Sequence, residues 1–105
     1  MSTSYLNAYR PPLELTSPAE LAVELCDAAL LRLRPGTTAT RLAEAQQAIS
    51  GLVALVNPDA GDVATNLLRL YEYCLHRINA HGDDLQSVRA TLSTLRSAFA
   101  GLEER

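Results

Sequence analysis

The chain has 105 residues and a formal net charge of −3, and all nine of its basic residues are arginine. That length is one domain, large enough to bury roughly two-thirds of its unfolded surface in a core. The arginines are scattered and form no basic stripe, which sets nucleic acid and anionic membrane aside as partners, and no apolar run approaches the ~20 residues a membrane helix needs. Hydrophobic residues make up 48% and aromatics 5%. Alanine and leucine dominate, which favours helices over sheet.

Residues 1–16 read as an extended N-terminal tail, with Pro11-Pro12 blocking helix continuation. The same proline pair stands where a secretory leader would need its apolar segment, so a cytoplasmic location is expected. The tail still carries Tyr5, Leu6, Tyr9, Leu13 and Leu15, enough apolar surface to lie in a groove. Residues 17–105 read as the folded unit. Its first helix opens at Ser17, with Pro18 at the first helical position and Glu20 completing a capping box. Leu21, Val23, Leu25, Cys26, Leu30 and Leu33 cover a wide arc of it. Glu20, Glu24 and Asp27 form a narrow polar strip, and Pro35-Gly36 stops the helix.

A second helix is predicted over Thr38–Val56, with a single stripe at Leu42, Ala45, Ile49, Leu52, Val53 and Val56. Asn57-Pro58 ends it. The third helix begins at about Asp62 and runs to about Ala80, with His81-Gly82 as its stop. It carries two apolar rows: Val63, Leu67, Leu70 and Cys74, and beside them Ala64, Leu68, Tyr71, Leu75 and Ile78. An amphipathic helix needs one stripe about 100° wide. Two rows call for cover from two directions, and in so small a protein the second cover can be another molecule.

The fourth helix opens near Asp83 and presents a seam of Leu85, Val88, Leu92, Leu95, Phe99 and Leu102. Short connections force each helix to pack antiparallel to its chain neighbours. The expected fold is therefore all-α: an antiparallel up-down-up-down four-helix bundle with an extended N-terminal arm.

Catalytic chemistry is not visible. His76 and His81, five residues apart, point about 140° away from each other on a helix and cannot share a metal. The Glu-x-x-His motifs of bundle di-metal sites are missing, and the glycines are isolated, with no phosphate-cradling loop. Glu72 and His76 share a face as an exposed pair. Cys26 and Cys74 fall on apolar faces and read as small buried hydrophobes. No cofactor or metal is expected, and no enzyme activity. What remains is binding surface. Tyr71 reads equally well as core and as groove, because a tyrosine offers an apolar body and a polar tip.

The third helix resembles the signature of the FliS family, in which a Gly-Gly-Glu-Ile-Ala-like start leads into Asn-Leu and Leu-Tyr-Asp-Tyr. Here the matching residues are Ala60-Gly61-Asp62-Val63-Ala64, Asn66-Leu67 and Leu70-Tyr71-Glu72-Tyr73. Ser17-Pro18-Ala19-Glu20-Leu21 is similar to the family's Ser-Pro-x-Glu-Leu, and Glu44-Ala45-Gln46-Gln47-Ala48-Ile49 to its Lys-Ala-Gln-x-Ile-Ile. Leu6-Asn7-Ala8-Tyr9 resembles its apolar-x-Ala-Tyr tail. Three departures stand out. Cys26 replaces an aromatic, Phe99 replaces the usual Trp, and the segment between the first two helices is several turns shorter.

The resemblance implies a cytoplasmic flagellar export chaperone. Such proteins hold the disordered C-terminal segment of flagellin, keep it from polymerising and deliver it to the export gate protein FlhA. It implies a flagellin groove on the first and third helices, at Leu21, Leu25, Ala64, Asn66, Leu68, Tyr71 and Leu75, with Leu6 and Tyr9 as the tail's contact to the gate. In the family the tail can occupy the grooves when no client is bound. The rival expectation is a structural bundle that uses the same surface to form a homodimer and has no flagellin client.

Overall fold

The computed structural model describes residues 17–79 and 85–103, and these form four helices with no strand among them. They are α1 (Pro18–Arg32), α2 (Ala39–Ala54), α3 (Asp62–Asn79) and α4 (Leu85–Glu103), with a 3₁₀ turn at Pro58–Ala60. Local chemistry sets their ends. The Ser17 hydroxyl accepts from the Glu20 backbone N–H at 3.0 Å, and the Glu20 carboxylate accepts from the Ser17 N–H at 3.3 Å. This reciprocal pair satisfies two donors that the first helical turn leaves open. At the other end of α1, the Leu33 N–H reaches back to the Ala29 and Leu30 carbonyls, and Gly36 turns the chain at a φ of +77°. Thr38 then caps α2 by accepting from the Arg41 N–H at 3.2 Å.

The second helix is shorter than its apolar pattern suggests. It ends at Ala54, and the Leu55 and Val56 N–H groups bond the carbonyls three residues back, at 3.1 Å each. The cause is Pro58, which holds Asn57 in an extended conformation with ψ at 110°. Gly61, with φ at +66°, makes the final turn into α3. Residues 80–84, where the His81-Gly82 stop and the Asp83 cap are expected, lie outside the described residues, as does the tail over residues 1–16.

Each helix packs on its neighbours in the chain, and α4 closes the ring against α1. Arg32 near the end of α1 pairs with Glu44 near the start of α2 at 3.1 Å. The Gln46 side-chain amide donates to the Asn79 carboxamide oxygen, joining the middle of α2 to the end of α3. The Tyr73 and Ser87 hydroxyls share a hydrogen bond at 2.9 Å between α3 and the start of α4. Arg96 on α4 grips Asp27 on α1 with Nε to Oδ1 at 2.8 Å. These links run the helices alternately up and down, as expected for the all-α bundle.

The core holds Cys26, Ala29 and Leu33 from α1 and its end, and Ala45, Ile49 and Leu52 from α2. Tyr71, Cys74 and Ile78 come from α3, and Val88 and Leu92 from α4. Cys26 and Cys74 are free and buried. They sit on the diagonal pair α1 and α3, which bring no two Cα atoms within 8 Å. That is too far apart for a disulfide without backbone movement. Burial pushes both thiols up to about 11, reinforced at Cys26 by the neighbouring Asp27 carboxylate.

Candidate functional site: an apolar cleft at one end of the bundle

Alternating helix directions gather the start of α1, the end of α2, the start of α3 and the end of α4 at one end of the molecule. There a cleft of about 150 Å³ opens. Its deep part is made by Ala22, Leu52 and Tyr71, each buried, with Tyr71 only 1% exposed. Half-buried Leu55 and Val56 from the α2 end, Leu67 from α3 and Phe99 from α4 form the walls. Pro18 and Leu102 stand at the exposed rim. Every one of these side chains is apolar except for the tyrosine hydroxyl. Burial pushes the Tyr71 phenol up to about 12, with the nearby Cys26 and Cys74 thiols adding to the effect, so the hydroxyl stays neutral at physiological pH.

The arrangement follows from where the helices stop. The apolar stripes of α2 and α4 continue to their last turns, so Leu55, Val56, Phe99 and Leu102 lack a further helical layer to pack against. Tyr71 spans both of its sequence readings: its side chain is sealed into the core and also lines the cleft.

On α3, the central stripe of Ala64, Tyr71, Cys74 and Ile78 is buried. The two predicted rows separate differently around it. Val63 and Leu70 remain exposed on one flank, at 63% and 39%, while Leu68 and Leu75 are half-buried on the other. Surplus apolar surface on this helix is therefore real, and it lies at the edges of the arc. Cys74, from the same row as Val63, is fully buried.

Of the residues anticipated for the groove, Tyr71 lines the cleft, whereas Leu21, Leu25, Ala64, Asn66, Leu68 and Leu75 do not. Leu21 and Leu25 are half-buried, Ala64 is core and Asn66 is exposed. Leu25 packs instead against α2, where a Cβ placed on Gly51 would come within 3.2 Å of its methyl groups. Leu6 and Tyr9 lie outside the described residues. The residues that the groove expectation left out, Leu52, Leu55, Val56 and Leu102 among them, had a usable signal. They are the apolar positions next to the helix stops, and antiparallel packing sends those stops to one place.

The opposite end also has a cavity, of about 600 Å³. Leu33, Pro35 and Gly36 face Leu85, Gln86, Arg89 and Ser93 across it, a mixed polar lining. Among the described residues, no cluster of three metal-ligating side chains exists, and no buried side-chain nitrogen or oxygen lacks a hydrogen bond. No described helix is long and apolar enough to cross a membrane.

An antiparallel bundle with an apolar, end-opening cleft and no polar group stranded inside it belongs to the class of helical binding proteins. A family model described as flagellar protein FliS matches residues 5–105. The chain belongs to the FliS family, a family of flagellar export chaperones and not of enzymes. No curated protein and no solved structure matches it.

Proposed function

We propose that this protein holds the disordered C-terminal segment of flagellin, with the apolar cleft as an anchor point. It would prevent premature polymerisation in the cytoplasm and deliver the segment to the export gate protein FlhA, without a catalytic step. The observation that carries this reading is the cleft lined by Leu55, Val56, Leu67, Tyr71, Phe99 and Leu102 in a chain of this family. Apolar anchors of a client helix or extended strand would fill it, as amphipathic peptides fill grooves elsewhere. From there the client would continue over the half-exposed edges of α1 and α3, past Leu21, Leu25, Leu68 and Leu75, with Asn66 available to bond its backbone. Ala64 would support that surface from beneath. Leu6 and Tyr9 in the tail are proposed as the contact to FlhA, and the tail as the cleft's occupant when no client is bound.

Client ordering offsets much of the apolar gain, so affinity per unit area is moderate. Fluorescence anisotropy with a labelled flagellin C-terminal peptide tests the reading. Leu102→Asp and Leu68→Asp should weaken capture while circular dichroism shows the helices intact. A wild-type protein that ignores the peptide and forms a homodimer by light scattering would replace this reading with the self-associating bundle.

A further inference from the structure

Every side chain lining the cleft is apolar apart from Tyr71, which is sealed into the core with 1% of its surface exposed. Among the described residues, the Tyr71 hydroxyl makes no hydrogen bond. Yet no buried side-chain oxygen among them goes without one. Both observations hold together only if the hydroxyl is the part of Tyr71 that reaches accessible surface, and the surface Tyr71 lines is that of the cleft. Burial keeps the phenol protonated up to about 12. The floor of an otherwise apolar site therefore carries one unused O–H donor.

We propose that the Tyr71 hydroxyl donates a hydrogen bond to a backbone carbonyl of the flagellin segment, one that the client's own helices leave free. The inference rests on the capture reading and adds to it the single directional contact of the cleft. A segment that covers the cleft takes the hydroxyl out of water, and a purely apolar cap would leave it unpaired at a cost. The walls decide which partner is tolerated. A carboxylate or ammonium group would be buried among Leu55, Val56, Leu67 and Phe99 with no counter-ion. A side-chain amide brings two N–H donors with its oxygen, and no wall side chain accepts them. A backbone carbonyl brings an acceptor alone. In a helix interior that carbonyl is already bonded four residues on, so the donor selects a stretch outside it. A cleft of about 150 Å³ holds roughly one benzene-sized group. The contact therefore belongs to one apolar anchor and its flanking peptide group.

The test uses the full chain and the variant Tyr71→Phe, which removes the oxygen and keeps the ring. Because the hydroxyl is unpartnered in the free protein, the variant should melt within about 3 °C of the parent. Its affinity for the flagellin C-terminal segment should nevertheless fall about 5–30-fold by fluorescence anisotropy. Segments in which successive backbone amides are replaced by esters, whose carbonyls accept weakly, then locate the acceptor. One position beside an apolar anchor should lose affinity for the parent chain and lose little for Tyr71→Phe. Undiminished capture by Tyr71→Phe, or ester effects that are identical in both proteins, overturns the inference and leaves the capture reading intact. A large fall in the variant's melting point overturns it too, since the hydroxyl would then be bonded within the fold. If the parent chain binds no version of the segment, the capture reading itself falls, and this inference with it.

Discussion

The two ends of the bundle are built by the same rule and end up with different surfaces. At one end α1, α2, α3 and α4 contribute Ala22, Leu55, Leu67 and Phe99 to a small cleft of about 150 Å³. At the other, a larger space of about 600 Å³ lies between the short α1–α2 connection and the start of α4, lined by Pro35, Gln86, Arg89 and Ser93. The larger space is the weaker candidate for an apolar client. Water can hydrogen-bond to its walls, so emptying it gains little, whereas water in the apolar cleft has few partners and is readily displaced. Wall chemistry, more than volume, separates a binding site from a gap between helices.

The sharpest way to break this comparison is at the cleft's base. Tyr71→Ala should lower stability by about 3–5 kcal/mol, because it opens a cavity in the middle of the core. Urea unfolding checks it, and a loss below about 1 kcal/mol would mean that the tyrosine is far less tightly packed than its 1% exposure indicates. Next is a matched pair of substitutions. Leu102→Asp, at a half-exposed rim position, should weaken capture of the flagellin segment by about tenfold, near the transfer value of part of a leucine side chain. Ser93→Asp at the opposite end should leave affinity within about twofold. Equal losses at both ends would mean that the client depends on both, and the comparison would fail.

The core between the two ends sets the response to alkali. Cys26, Cys74 and Tyr71 are protonated in the fold up to about 11, 11 and 12, above their ordinary values of about 9, 9 and 10. The unfolded chain therefore releases these protons first. Their contribution to stability is complete below about pH 9 and is lost as pH rises toward 12. Thermal melts should show a falling midpoint over that window, and Cys74→Ala should shallow the fall. A flat profile to pH 11 would contradict the burial of these groups.

The smallest effects come from two glycines. Gly101, in the last turns of α4, has open space where a Cβ would go, so Gly101→Ala should stabilise by up to about 1 kcal/mol through helix propensity. Gly51→Ala gains the same propensity but meets both Leu25 methyl groups at 3.2 Å. It should show a smaller gain or none in the same melts. A full gain at Gly51 would show that Leu25 has room to move aside.

Where the chain's own chemistry is local, reading residues was enough. The Ser17–Glu20 box and the stop before Pro58 need only near neighbours, and the structure shows both. The apolar spacing also placed Cys26, Ile49, Leu52, Cys74, Val88 and Leu92 in the core, because a 3.6-residue repeat gives each side chain's direction about its own axis. The repeat says nothing about how far one helix is shifted along another. That shift decides that Leu55, Val56 and Leu102 meet at one end, and that Leu25 is taken up by the close approach of Gly51. Four amphipathic rods and an excess of apolar surface were thus determined by the order of the residues. Which part of that excess became a cleft was settled only when the rods packed, since a concave surface is a property of several helices together.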